Sequence, residues 1–368
     1  MRQITVGVVF GGRSVEHEIS LLSAKSIIGN LDPKRYLLFP IFIDKKGSWR
    51  KASVDNWLRD GELEIFGDSF LSPSLNPDKP VFYEIKKDRV EKEHKVDVIF
   101  PVLHGTHGED GTVQGLFGLM GIPFVGASVL GSSVGMDKIL MKTIFKESGI
   151  PVVRFIWFYK HEWESGKNEI KNRIIDEIGS PCFVKSANLG SSVGITKVKS
   201  ENELERAMDY ACSFSNRIIV EKSVSNPREI EVSVLGNEAP IASLPGEIVP
   251  RREFYDYAAK YLEDSTELMA PAKLGQEIVE KLQQYAIRAF KSIDCEGMGR
   301  VDFLMEKTTD EIFVSEINTI PGFTQISMYP KLWEVSGLKY PELVSKLIEL
   351  AIERHEMKKK LKTDMGQR

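Results

Sequence analysis

The densest chemistry in this chain lies in GRVDFLMEKTTDEIFVSEINTIPG, Gly299 to Gly322. Apolar runs flank the polar Lys307-Thr308-Thr309-Asp310, which predicts two strands joined by a short turn. Side chains alternate faces along a strand, so Arg300 and Asp302 share one face of the first strand, and Glu316 and Asn318 share one face of the second. A hairpin brings these pairs together as two carboxylates, an amide oxygen and a guanidinium inside an apolar sheet. Hard cations such as Mg2+ take oxygen ligands and complete their shell with water and substrate phosphates. Arg300 beside them suits a place where negative charge builds up. The competing reading is a buried salt-bridge hairpin without metal.

Other segments carry weaker signals of the same kind. NLGSSVG, Asn188 to Gly194, is a Gly/Ser loop between two apolar strands. Its small residues let backbone N–H groups approach phosphate oxygens. Lys185, at the end of the strand entering that loop, can reach a polyphosphate as a point charge. No GxxxxGK[ST] occurs, which excludes a P-loop. GGRSVEHEIS lacks the G-x-G-x-x-G spacing, which excludes a Rossmann cofactor site. Its Glu16 stands either to hold a ligand ammonium or as a first-turn acid favoured by a helix dipole. His104 and His107 in HGTHGED lie three apart without a third ligand at zinc spacing, so hydrogen bonding at a substrate pocket is the expectation there. EFYDYAAKYLEDST, Glu253 to Thr266, is dense in Tyr, Lys and acids with no clean apolar face, and reads as a lid carrying ligand contacts.

The elements that position these residues alternate. Residues 4–10 form a nearly continuous apolar strand, covered on both faces, followed by an amphipathic helix from Glu16 to Leu31. Strands at Tyr36–Ile43 and Val96–Leu103 and a helix at Thr112–Met120 predict a parallel α/β sheet over roughly the first 125 residues. The polar segment from about Gly47 to Lys95 reads as an insertion with a short edge hairpin. Asp137 is the expected N-cap of a helix Lys138–Ser148, which Gly149 ends before Pro151. A strand at Val152–Tyr159, a helix near Asn168–Ile178 and strands at Cys182–Lys185 and Val193–Val198 follow. Ser200 and Glu203 predict a capping box for a helix at 201–212. Strands are expected at 218–222, 229–236 and 240–248, then helices at Gly275–Ile293 and Tyr340–His355 around the hairpin.

The 368 residues are 42% hydrophobic and 28% charged with a net charge of −4, so two or three domains with sizeable cores fit, and no global basicity argues for nucleic acid. No signal-type segment and no run near the ~20 apolar residues of a membrane span are evident, and Cys182, Cys212 and Cys295 form no CxxC pair. Reduced thiols and a cytoplasmic location are the expectation.

GGRSVEHEIS, FPVLHGTHGEDGTVQG, GMDK, FVKSANLGSSVGI, FYDYAAKYL, GRVDFL and EINTIPGFTQISMYP, in this order, resemble the D-alanine–D-alanine ligases, which are ATP-grasp enzymes. The resemblance runs from Val6 to about Pro330. It implies an open parallel α/β domain at 1–130, a central ATP-grasp lobe at 131–215, a C-terminal lobe with hairpin and lid at 216–356, and a charged tail at 357–368. It implies ATP between the two grasp lobes, with Lys138 and Lys185 on its phosphates and Ser191 and Ser192 in the closing loop. Glu221, Lys222 and Val224 would line the adenine pocket and Glu229 would meet the ribose. Asp302, Glu316 and Asn318 match the family's Mg2+ ligands, two ions with Glu316 bridging, and the resemblance implies Mn2+ as a substitute. Glu16 would bind the first D-alanine's ammonium near His104, and Tyr261 and Ser191 would join Glu16 in a link closing the lid. Lys260 would reach the γ-phosphate, Arg300 and the Gly322 N–H would meet developing negative charge, and Ser327 would hold the second D-alanine's carboxylate beside Met328. The implied activity is ligation of two D-alanines through an acyl phosphate for peptidoglycan precursors, by a homodimer without nucleic-acid or membrane partners. A D-lactate- or D-serine-accepting relative and a non-catalytic nucleotide-binding module are the alternatives. Tyr261 favours the dipeptide, and the intact set Arg300, Asp302, Glu316 and Asn318 speaks against the module.

Overall fold

The computed structural model describes residues 2–59, 61–190, 194–250 and 266–362. Three sheets carry the candidate site. The first contains β1 (Ile4–Gly11), β2 (Tyr36–Ile43), β3 (Trp49–Ser53), β4 (Glu64–Ile65) and, beyond a small sheet, β8 (Val98–Val102), in the order β4-β3-β2-β1-β8. β1 pairs in parallel with β2 and with β8, as the sequence predicts, while β3 adds an antiparallel edge. The apolar character of β1 on both faces follows from two separate cores. Val6, Val8 and Phe10 pack beneath α1 (His17–Gly29) and the terminal helix, whereas Val9 faces Val113 and Phe117 of α2 (Thr112–Leu119).

The 47–95 segment is more ordered than its polar composition implies. It supplies β3 and β4 and a separate antiparallel sheet of β5 (Phe70–Pro73), β6 (Val81–Lys86) and β7 (Arg89–Lys95). Leu71 and Phe82 anchor that sheet in the core shared with Val9 and Ile41.

After α3 (Val129–Met136) and α4 (Lys138–Glu147), the middle sheet takes the order β11-β10-β12-β9, from β9 (Phe155–Tyr159), β10 (Cys182–Ser186), β11 (Ile195–Val198) and β12 (Arg217–Lys222). Its helices are α5 (Lys160–Ser165), α6 (Lys167–Glu177) and α7 (Leu204–Cys212). Asp137 caps α4 as expected, accepting from the Ile139 and Leu140 N–H groups at 3.1 and 3.0 Å. The expected Ser200/Glu203 capping box does not form. A 3-10 turn occupies Glu201–Glu203, α7 starts one turn later, and Glu203 instead accepts from the Lys199 N–H at 2.7 Å.

The third sheet has the path β16-β15-β13-β17-β18, with β14 beside β13. Its strands are β13 (Pro227–Gly236), β14 (Ile241–Ala242), β15 (Gly246–Pro250), β16 (Thr266–Met269), β17 (Gly297–Glu306) and β18 (Ile312–Asn318). The single strand expected at 240–248 splits into β14 and β15. Between them Leu244 N–H bonds the Ser336 hydroxyl at 2.8 Å, and Pro245 has no N–H to give. α8 (Gln276–Ser292) covers this sheet, followed after the hairpin by α9 (Met328–Val335) and α10 (Tyr340–Lys359). Leu343, Leu347 and Ile348 of α10 pack into the core of the first sheet together with Phe323 and Tyr329, so the segment after β18 is wedged between first and third sheets. All three cysteines are free and buried, and burial pushes the Cys182 and Cys212 thiols up to about 11. No helix among the described residues is long and apolar enough to cross a membrane.

Candidate active site

The hairpin pairs as its alternation implies. Arg300 on β17 lies opposite Asn318 on β18, and Asp302 opposite Glu316. The register then slips, with Phe303 facing Val314, so Ser315 is an extra residue in β18 and its carbonyl turns out of the ladder. Arg300 forks onto Asp302 with two hydrogen bonds of 2.7 Å, and Asn318 Nδ2 donates to Asp302 at 3.0 Å. Arg300 Nε also stands 3.1 Å from Glu231 of β13, which pairs opposite Asp302 in the sheet. The hairpin and β13 thus bring the carboxylates of Glu231, Asp302 and Glu316 close to the Arg300 guanidinium.

The first sheet presents its own acids to this patch. Gly11 and Gly12 turn the chain out of β1 with φ of 93° and 98°, and a Cβ at Gly11 would strike the Ile43 carbonyl, so only glycine permits the turn. Glu16 follows, buried at the start of α1. Its Oε2 sits so close to Gly105 and Gly190 that a Cβ there would lie 2.5 and 3.3 Å away. Glu16 therefore touches the loop after β8 and the entry to the Gly/Ser loop of the middle sheet. His104 is buried, and its Nε2 lies 3.1 Å from the Ser23 hydroxyl, which in turn accepts from the Phe323 N–H at 3.2 Å. Burial holds the His104 imidazole below its usual pKa, against the opposing pull of Glu16 and of the Ile320 backbone. Glu109 accepts from the Gly105 N–H at 2.7 Å. Burial, with Glu16 and Glu316 facing it, pushes the Glu109 carboxyl up to about 8. A cavity of about 380 Å³ opens at the carboxyl ends of β1 and β8, between Gly12, Arg13, Leu103, His104 and His107. Open α/β sheets bind ligands at that end, where the strand order reverses.

A third cluster lies between the middle and third sheets. The Lys138 N–H bonds the Ala187 carbonyl at 2.8 Å, and its Nζ reaches the Leu189 carbonyl at 2.6 Å, at the mouth of the Gly/Ser loop. Lys185 Nζ donates to Glu221 Oε2 at 2.7 Å. Despite the burial that opposes ionisation, Lys142 and Lys185 hold the Glu221 carboxyl down to about 2.

Nine of the predicted site residues come close together: Glu16, His104, Arg300, Asp302, Glu316 and Asn318 around one patch, with Lys138, Lys185 and Glu221 beside it. Gly322 and Ser327 meet in the turn after β18, where a Cβ on Gly322 would stand 2.8 Å from the Ser327 hydroxyl. That hydroxyl accepts from the Thr324 N–H at 2.9 Å. Lys222, exposed, and Val224, half-buried, follow Glu221 along the β12–β13 connection, and Glu229 is half-buried on β13 opposite Leu304. Met328 is buried against Gly246 of β15, where a Cβ would collide with its methyl. Ser191, Ser192, Lys260 and Tyr261, with the expected lid, lie outside the described residues.

Glu109, Glu231, Ser23 and Lys142 belong to the same surroundings without a sequence pattern that singles them out. Glu109 lies inside HGTHGED, where the histidine spacing is the more prominent signal. Glu231 carries one legible signal, an acid set between Ile230 and Val232.

Two family models cover most of the chain: "D-ala D-ala ligase N-terminus" matches residues 5–127 and "D-ala D-ala ligase C-terminus" residues 144–349. The chain belongs to the D-alanine–D-alanine ligase family. A D-alanine–D-alanine ligase of Heliobacterium modesticaldum is 46% identical over 366 residues, covering 99% of each chain. One from Thermoanaerobacter sp. is 47% identical, covering 97% of this chain and 99% of its own. The solved D-alanine–D-alanine ligase of Coxiella burnetii superposes with a TM-score of 0.83 at 38% identity over 98% of this chain and 97% of that one. VanG D-Ala:D-Ser ligase of Enterococcus faecalis superposes equally well, at 0.83 and 34% identity, over 95% of this chain and 100% of its own. As a member of the D-alanine–D-alanine ligase family, the chain is a ligase with an ATP-grasp architecture.

Proposed function

We propose that the protein joins two D-alanines with ATP, through an acyl phosphate, to give D-alanyl-D-alanine for peptidoglycan precursors. The observation that carries this reading is that His104 and Glu109, beside Glu16 on the first sheet's side, lie within electrostatic reach of Arg300, and Glu109 also of Glu316, on the hairpin. It sets an ammonium-binding acid beside a phosphoryl-handling site. A carboxylate is a poor electrophile. An oxygen of the first D-alanine's carboxylate therefore attacks the γ-phosphorus, and ADP leaves. The amine of the second D-alanine then attacks the acyl carbon, and phosphate departs with that carboxylate oxygen.

Each residue has a task in this scheme. Glu16 holds the first ammonium, with His104 beside it. A neutral imidazole, which burial favours, keeps a second cation away from that ammonium. Lys138 and Lys185 bind phosphates, Glu221, Lys222 and Val224 face adenine, and Glu229 takes the ribose. Arg300 neutralises the transferring phosphoryl group, where catalysis is mostly positioning and electrostatics. Gly322 N–H supports the tetrahedral oxyanion, and Ser327 holds the second carboxylate, with Met328 lining its side of the pocket. Ser191, Ser192, Lys260 and Tyr261 keep the loop and lid roles that the resemblance assigns them.

Asp302, Glu316 and Asn318 would hold two Mg2+ ions, which Mn2+ can replace. The donors fit: they are hard oxygens on facing strands. Among the described residues no group of three or more His, Cys, Asp or Glu side chains is arranged to hold a metal ion by itself; Mg2+ commonly completes its shell with water and substrate phosphates. Bound there, the ions would neutralise phosphate charge. We further assign the chain three lobes at 1–130, 131–215 and 216–356 with a short charged tail, a cytoplasmic location and a homodimeric state.

Phosphate release from ATP, with D-alanine, L-alanine, D-serine and D-lactate offered singly and in pairs, tests the reading. D-alanine alone should suffice. Release that requires D-serine or D-lactate as partner would assign a different acceptor.

A further inference from the structure

Lys142 has no part in the scheme above, yet it is only 1% exposed. It projects from the middle of α4. Its Nζ donates to the Ser315 carbonyl, the one released by the β18 bulge, at 2.8 Å. It also stands 3.3 Å from Glu221 Oε1, a fully buried oxygen with no hydrogen bond of good geometry. Lys185 occupies the other oxygen of the same carboxylate at 2.7 Å and is 14% exposed. One buried carboxylate is thus shared by two lysines, one sealed in and one partly exposed.

The two lysines differ in what else they can do. Lys142 is fixed between a carbonyl and a carboxylate. Lys185 is the penultimate residue of β10, which leads into the Gly/Ser loop, and a phosphate arriving there competes with Glu221 for its ammonium. Were Lys185 the sole counter-charge, each step toward phosphate would strip a buried carboxylate of its partner, which is among the costlier events in a protein interior. A second, permanent cation removes that cost, and its repulsion of Lys185 favours the transfer. That repulsion is visible in the titration of Lys142. Burial holds its ammonium below the usual lysine range, Glu221 opposes that effect, and Lys185 reinforces it.

We propose that Lys142 is a positioning residue for nucleotide binding, the standing counter-charge of Glu221 that lets Lys185 turn to a phosphate without leaving a buried carboxylate bare. The proposal rests on the reading of Lys185 as a phosphate ligand.

The test is a set of variants measured for ATP dissociation constant, ATP KM and kcat in the full chain with Mg2+. Lys142→Gln keeps a donor for the Ser315 carbonyl and removes the charge. It should weaken ATP on the order of 10- to 100-fold, as loss of a buried charge partner implies, with kcat changed less than about 3-fold. In a Glu221→Gln background the same change should cost less than about 3-fold, because no bare carboxylate is left. Equal losses in both backgrounds, or near-normal ATP affinity in Lys142→Gln, would overturn the proposal. Should Lys142→Gln alone fail to fold, the double variant, with neither charge buried, should still fold and bind ATP like Glu221→Gln. Failure of the double variant would count against the proposal. Lys185→Met separates the two levels of argument: if it leaves ATP affinity intact, the reading of Lys185 falls, and the role of Lys142 falls with it.

Discussion

Replacing Arg300 by Met removes the one guanidinium that the hairpin's acids share. Asp302 loses two hydrogen bonds of 2.7 Å, and Glu231 loses an ion contact of 3.1 Å. Asn318 Nδ2, at 3.0 Å, still bonds Asp302. All three charged side chains are mostly buried, so breaking this group should cost about 3–5 kcal/mol of stability in the ligand-free protein. The kinetic cost is separate. Arg300 should act on charge that develops as the phosphoryl group moves, where loss of one such group costs about 10²- to 10³-fold in kcat. ATP affinity should fall far less, since that charge is greatest in the transition state. Urea unfolding with and without Mg2+ measures the first effect, and added Mg2+ should recover more stability in the variant than in the parent. Steady-state phosphate release with equilibrium ATP binding measures the second. Equal losses in kcat and ATP affinity would make Arg300 a ground-state ATP contact, and an unchanged kcat would remove it from the chemistry.

Glu316→Gln keeps shape but removes charge at the Mg2+ site, so turnover should collapse while urea unfolding changes little. Near-normal activity at ordinary Mg2+ would leave the hairpin purely structural. Ser23→Ala removes the hydroxyl between His104 and the Phe323 N–H, and should cost about 1–3 kcal/mol in unfolding and raise the KM for D-alanine. An unaltered KM would mean the hydroxyl does not position the substrate loop. Glu109, with a folded-state pKa near 8 against 4.5 for an ordinary glutamate, is more easily kept protonated in the fold than in the unfolded chain. Its contribution to ligand-free stability is present below about pH 4.5 and is lost as pH rises through about 8. Glu109→Gln should flatten the stability profile across that window, and parallel profiles for both proteins would place the Glu109 carboxyl in an ordinary environment.

The hairpin was legible because alternation and a polar turn are local signals, and its pairing needed only two adjacent strands. Asp137 and Lys138 were legible for the same reason, a cap and the first residue of the helix it caps. Glu109 was not, because its meaning depends on Glu16 and Glu316, which approach it only when first and third sheets meet. Lys142 reads in sequence as one more lysine on a helix. Its burial follows from a bulge in β18, some 170 residues away, that frees the Ser315 carbonyl. The 47–95 segment misled through composition. Most of its polar residues face solvent, while Leu71 and Phe82 anchor it in one core and Ala52 and Val54 in another. Ser200 and Glu203 matched a capping pattern, but the intervening 3-10 turn displaced the helix start to Leu204.

The central claim is that ATP activates a D-alanine carboxylate as an acyl phosphate before the amine attacks. Incubating the enzyme with ATP, Mg2+ and D-alanine labelled with 18O in its carboxylate tests this directly, with mass spectrometry of the released phosphate. The acyl carbon–oxygen bond breaks when the amine adds, so the account predicts one 18O atom transferred to each phosphate formed with D-alanyl-D-alanine. Unlabelled phosphate formed alongside the dipeptide would contradict it.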